Sequence, residues 1–460
     1  MQILQPHNSR ILEEQLKFYL EHFGKHIGVI ISQKDRKRIW EIITRNNTVS
    51  KILESDKFKK ITKRQKELLG GTALGLVFCI DGRIPAIFLG GRFARHFEVP
   101  AGEISTIRRK SDNKLIPDSS DLNEALRRIA SGPYDLLEVI FAHTSLSNPH
   151  HGCGAMIARG GNIEDNLDII KNKTIPSLSN MYREFRIQLG LQLLKTIAIA
   201  ALYDTDTFGI ILNYDLKKES LSTTDLTNKY KEELDKYFIK NNLVYGSFKE
   251  KFADLQYLTP FSKNVMEITE DLLDQKVAPQ LLDGLKDYID KFYQDLTDKQ
   301  KQALIFLLIR NISFEYLTGS AILKRKTSGH PFFVHGESCM AVAMRGATIV
   351  KFDPETQAFA ATPADPKQAI ANINTMLSLL NNSKPPYILF VCNSINSRDL
   401  KENSNVLQRL LGSNAGFLGD IIEDKKLGSM IESGEIIPVP LLIEENTREV
   451  LKIVDHSGYI

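Results

Sequence analysis

The chain has 460 residues, 42% hydrophobic and 25% charged, an ordinary balance for a folded protein able to bury more than one core. Its 59 basic against 56 acidic side chains leave a formal charge of +3, and no basic stripe interleaves with aromatics, which argues against a dedicated nucleic-acid binder. Four cysteines (Cys79, Cys153, Cys339 and Cys392) are too few for a disulfide framework, and no apolar run approaches the ~20 residues of a membrane span. The opening segment has no basic-then-apolar leader, so the expectation is a soluble, cytoplasmic chain.

In chain order, residues 1–68 read as a helical N-terminal region, with Ile11, Leu12, Leu16, Tyr19, Leu20 and Phe23 at helical spacing and charges between them. The pattern changes at Gly70-Gly71. Residues 74–79 (LGLVFC) form a short continuous apolar run, as a strand buried on both faces would, and residues 136–142 (LLEVIFA) form a second. A polar stretch at 108–120 and a helix at 122–130 are expected between them, then a long helical region over 176–201 and a strand over 208–213. Strands alternating with helices predict an α/β domain at 69–215, a mainly parallel β-sheet flanked by helices. Residues 216–328 read as helical, and strand-like runs return in a second α/β domain at 329–460. A faint internal repeat joins the two α/β regions. Residues 133–148 resemble 385–397, and in the same order 202–212 resemble 442–453, which places Cys392 where His143 would be. On this reading the second domain is a degenerate repeat without metal ligands.

The chemistry concentrates in two segments. In Cys79-Ile-Asp81-Gly-Arg83 the cysteine ends an apolar run, at the strand edge where ligands of open α/β sheets bind. Asp81 and Arg83 are placed to form a charge-assisted pair that leaves one carboxylate oxygen free. In residues 139–156 (VIFAHTSLSNPHHGCGAM), His143 ends the second apolar run on the same edge, and Cys153-Gly154 opens a helix, whose N-terminus favours a thiolate. Singly, each is ordinary: a buried cysteine, a strand-end histidine, a surface ion pair. Together, Cys79, His143 and Cys153 are a sulfur and nitrogen donor set of the kind zinc takes, with a fourth position left for water. His150 also stands three residues before Cys153 and is the alternative ligand; His150, His151 and His96 are candidate proton shuttles, since histidine titrates near neutrality. Gly154 is a candidate for close backbone approach at the substrate pocket.

This combination resembles the β-class carbonic anhydrases: Cys79-Ile-Asp81-Gly-Arg83 matches their first motif, Pro100-Ala-Gly-Glu103 their alanine-glycine segment and residues 203–209 (YDTDTFG) their closing hairpin. It departs from them in spacing, for His143 and Cys153 are ten residues apart where the family has H-x-x-C-G. Two divergent branches are similar in having a widened gap: the carboxysome-shell carbonic anhydrase, and the large soluble subunit of bacterial inorganic-carbon uptake systems, whose N-P-H loop is echoed by Asn148-Pro149-His150. The resemblance implies one Zn2+ per chain and reversible hydration of CO2 to bicarbonate by zinc-bound hydroxide, which Asp81 orients while Arg83 holds Asp81. It also implies a homodimer or an intrachain pseudo-dimer. The alternatives are a carbon-uptake or bicarbonate-binding subunit acting with a membrane partner, and a zinc hydrolase acting on a CO2 analogue.

Overall fold

The structure is a computed structural model. It describes residues 9–53, 56–69, 72–79, 94–98, 102, 104, 106–108, 115–117, 126–127, 129–148, 153–157, 159–240, 258–322, 346–351, 358–361, 366–379, 385–395, 404–444 and 449–455. The four segments expected from the sequence gather into two compact units, residues 56–331 and residues 1–55 with 332–460. The N-terminal helical stretch is thereby divided. Its helices Ser9–Ile27 and Gln33–Leu53 belong to the unit that contains the C-terminus, and Asp56–Leu68 belongs to the other.

The unit 56–331 is built on a mixed six-stranded sheet in the order β2-β1-β5-β6-β7-β8. Its strands are β1 (Thr72–Phe78), β2 (Ala94–Glu98), β5 (Asp135–Thr144), β6 (Thr196–Asp204), β7 (Gly209–Leu212) and β8 (Leu221–Ser222); β3 (Thr106–Arg108) and β4 (Leu115–Pro117) form a separate antiparallel ladder. The pairs β1–β2, β1–β5 and β5–β6 are parallel, while β6–β7 and β7–β8 are antiparallel. Side chains alternate across a strand, so β5 serves two layers. Leu136, Ile140 and Ala142 pack in one cluster with Leu178, Met181, Tyr182 and Phe185 of the helix Ile175–Gln188. On the alternate positions Phe141 stacks on Phe78, and a run of ring contacts passes through Tyr203 and Phe208 to Phe314 of the helix Asp298–Ile322. This double cover is why β5 reads as a near-continuous apolar run. The exception is Glu138, fully buried in mid-strand, where it accepts a hydrogen bond from Tyr182 Oη at 2.9 Å. Gly75 of the neighbouring strand makes room for it, since a Cβ there would collide with the carboxylate.

One element differs from expectation. The helix that was to run to residue 201 ends at Gln188, and residues 196–204 are the strand β6. The cause is local. Gly190 adopts φ +64°, the left-handed conformation that closes helices, and Leu191 N–H bonds back to Arg186 O at 2.9 Å. The alanine-rich run that follows favours helix intrinsically, but pairing with β5 and β7 overrides that preference.

In the second unit five strands lie in the order β10-β9-β11-β12-β13: β9 (Gly346–Lys351), β10 (Ala358–Ala361), β11 (Tyr387–Ile395), β12 (Ile436–Glu444) and β13 (Val450–Ile453). The N-terminal helices are integral to this unit. Leu12, Leu16, Tyr19, Leu20 and Phe23 are buried at helical spacing, and Tyr19 Oη donates to Pro438 O at 2.8 Å. The edge strand β13 is finished by side chains. Asn47 accepts from Val450 N–H and donates to Val450 O, as a neighbouring strand would, and Gln15 Oε1 accepts from Ile453 N–H.

The two sheets share a β-α-β-hairpin passage. β11 pairs parallel with β12 and β12 antiparallel with β13, as β5 does with β6 and β6 with β7. Leu136 N–H bonds Lys195 O and Tyr387 N–H bonds Glu435 O at the strand starts; Thr144 faces Asp204 and Ile395 faces Glu444 at their ends. This register puts Ser394, not Cys392, at the place of His143. Apolar strands slide past one another in steps of two without changing face, so sequence likeness alone does not set that register. The correspondence stops at β9, which runs antiparallel to β11 where β1 is parallel to β5.

Candidate metal centre

Cys79 follows β1 directly, and His143 is the penultimate residue of β5, its parallel neighbour. Cys153 immediately precedes the short helix Gly154–Ile157, where its carbonyl accepts Met156 and Ile157 N–H at 3.0 Å each. The three side chains converge and are buried, their donor atoms all within 4.8 Å of one another. The Cys79 and Cys153 sulfurs stand 3.6 Å apart. Two thiols and an imidazole in mutual reach are a donor set that fits a borderline-soft divalent ion such as zinc. The electrostatics agree. The hydrogen bond with Cys79 holds the Cys153 thiol well below its ordinary range against the opposing effect of burial, with smaller help from His143 and from the Met156 N–H. That favours the thiolate, the form that binds metal. By contrast, burial alone pushes the Cys392 thiol up to about 12, the behaviour of a packing cysteine.

Backbone geometry supports the site at two points. Gly102 sits at φ +69°, and a Cβ there would lie 2.8 Å from Phe141 O, two residues before His143. Only glycine meets both demands. The segment after His143 is held by the β6–β7 turn. Thr205 donates to Thr144 O from its N–H at 2.8 Å and its hydroxyl at 3.1 Å. Asp204 accepts Leu146 N–H at 3.1 Å, and Asp206 accepts Ser145 Oγ–H at 2.8 Å and Ser147 N–H at 2.9 Å. This clamp is the physical counterpart of the wide spacing between His143 and Cys153. The residues that form it, Asp204 to Asp206, were visible in the sequence only as a hairpin, because nothing local marks which segment a turn will grip.

Asp81, Arg83, His150 and His151 lie outside the described residues. His96 is on β2, and Gly154 opens the helix after Cys153. Among the described residues Cys79, His143 and Cys153 form the one cluster of metal-ligating type, and no helix is long and apolar enough to cross a membrane. No family model matches the chain, and no curated protein matches it in sequence.

Proposed function

We propose that this protein is a zinc-dependent carbonic anhydrase of the β-class type, which reversibly hydrates CO2 to bicarbonate. The observation that carries the reading is the buried convergence of Cys79, His143 and Cys153 at the ends of β1 and β5 and the start of a helix. A structural zinc site closes its coordination with four protein ligands, whereas a catalytic one keeps a position open. The three donors found among the described residues, two at the ends of parallel strands and one at a helix start, match the second arrangement. The sequence adds Asp81 and Arg83 directly after Cys79, a pair that a purely structural site does not need.

In this reading a bound zinc ion supplies Lewis acidity that brings the pKa of water towards neutrality. The chain's own residues do the rest. The thiolate of Cys153, with Cys79 and His143, would hold the ion, and the burial of all three excludes bulk solvent. Asp81 would accept a hydrogen bond from the attacking oxygen and so orient it towards the CO2 carbon, and Arg83 would pair with Asp81 and keep it from ligating the ion. His96, His150 and His151 are the candidates for carrying the released proton away.

The test is metal content and CO2 hydration on one preparation. About one zinc per chain and hydration above background between pH 6 and 9 are expected, and Cys153→Ser should lose both. Metal-replete protein without hydration anywhere in that range sinks the reading. Carbonyl sulfide belongs in the same panel, since turnover of it without CO2 hydration would indicate a zinc hydrolase instead.

A further inference from the structure

The turn that clamps the ligand-bearing segment is tied to a buried acid on a distant helix. Thr207 Oγ1 lies 2.8 Å from Asp204 Oδ2, Thr224 Oγ1 lies 2.9 Å from Thr207 Oγ1, and Glu315 Oε2 lies 2.7 Å from Thr224 Oγ1. Two carboxyls are thus joined through two hydroxyls by three oxygen–oxygen links. The other oxygens are already engaged as acceptors. Asp204 Oδ1 accepts Leu146 and Asp206 N–H, and Glu315 Oε1 accepts the amide of Asn311 at 2.6 Å and the hydroxyl of Thr223. Thr207 Oγ1 also accepts Gly209 N–H at 3.2 Å.

Three such links need three protons, and two threonine hydroxyls supply only two. The third must sit on a carboxyl. If both acids were ionised, one link would become a contact between two acceptors. We propose that Asp204 and Glu315 share a single proton along the Thr207–Thr224 chain, which makes Glu315 a positioning residue acting through Asp204 on the segment after His143. Glu315 is the better resident for the proton, since two backbone N–H donors stabilise charge on Asp204 and the Glu315 carboxyl is the one that burial holds up to about 8. Burial, the largest influence, raises the Glu315 carboxyl to about 8, with the charge of Asp204 adding to it and hydrogen bonds from Thr223, Thr224 and Asn311 opposing. Burial raises Asp204 and the charge of Asp206 raises it further, while burial and then both carboxyls raise the phenol of Tyr203, whose Oη has no hydrogen-bond partner among the described residues. Gly209 gives independent support, because a Cβ there would collide with the Thr224 hydroxyl and crowd that of Thr207. The chain passes where a glycine leaves it space.

Three full-length variants test this. Glu315→Gln keeps a carbonyl for Asn311 and Thr223 and an N–H for Thr224, so it preserves the chain without a titrating proton. Thr224→Val deletes the middle link at nearly constant volume, and Glu315→Leu deletes the end. Binding of cobalt(II), followed by its thiolate charge-transfer absorption, should be within about twofold of the parent for Glu315→Gln. It should fall about tenfold for Thr224→Val and Glu315→Leu, as when the support of a metal ligand is removed. A folded pKa above the unfolded value means that the parent loses stability as pH rises from about 4.5 towards 8. Glu315→Gln escapes that loss, so its Tm should gain on the parent by roughly 2 °C per pH unit between pH 5 and 8. A Glu315→Gln variant that weakens cobalt as much as Thr224→Val, or whose Tm falls behind the parent as pH rises, overturns the shared proton. The cobalt arm rests on the metal reading above and the thermal arm does not. A parent that binds no cobalt therefore counts against that reading, while the Tm trend still decides this one.

Discussion

At the scale of single residues, two histidines compete for one role in the sequence, and His143 is the one among the described residues. His143 is carried by β5 into reach of both cysteine sulfurs. His143→Ala is therefore expected to lose metal affinity by about a hundredfold or more, and His150→Ala by no more than a few-fold, in competition with a chromophoric chelator. A second expectation concerns Glu138. Burial raises its carboxyl from 4.5 to about 7, opposed in part by the hydrogen bond from Tyr182. Because the folded pKa lies above the unfolded one, its contribution is fully present below about pH 4.5 and is lost as pH rises through about 7. Glu138→Gln should flatten that decline, by about 3–4 kcal/mol at most, seen as a pH-independent gain in urea midpoint above pH 7. Gly75→Ala should cost about 1–3 kcal/mol, because the Glu138 carboxylate must move out of the new methyl group's way. The ligands were legible in the sequence because each stands at the end of an apolar run or the start of a helix. Glu315 was not. It sits within a helix where an acid is usually a solvated face, and its partners Thr223 and Thr224 become neighbours only once the fold has formed.

Elements differ in how much of themselves they announce. β1 and β5 were readable because burial on both faces leaves apolar residues along their middles, Glu138 apart. β6 was misread as helix, since Ala198, Ala200 and Ala201 suit either state and only the company of β5 decides. The signal that could have corrected it was Gly190, a helix-closing glycine set before a second apolar run. The opposite edge problem is solved in the second sheet by side chains, for Asn47 replaces a missing neighbour of β13. Asn47→Ala removes both bonds and leaves the Val450 backbone groups unpaired. It should cost about 1–3 kcal/mol, and hydrogen exchange should accelerate first at Val450.

Across the whole molecule, the sequence disclosed two α/β regions and helices between them, but not how the helices are shared out. The N-terminal pair joins strands at the far end of the chain, and no periodicity carries that information. The faint repeat shows the same limit. Its hairpins match in register at Asp204–Gly209 and Glu444–Glu449, yet Ser394 rather than Cys392 takes the histidine's place. Since the three ligands all belong to residues 56–331, metal should stabilise that unit selectively. Saturation at a hundred times Kd adds about 2.7 kcal/mol, and chelation should lower one calorimetric transition and leave the other in place. The positions of the ligands also bear on how the chain acquires its fold. Cys79 and His143 come from strands that are distant in sequence and adjacent in space, so the donor set cannot assemble until β1 and β5 have found each other. A slip of one residue between them would turn His143 to the opposite face. On the zinc reading, metal capture would follow strand pairing, and the ion would act as a proofreader of strand alignment, holding only those chains that have already paired correctly.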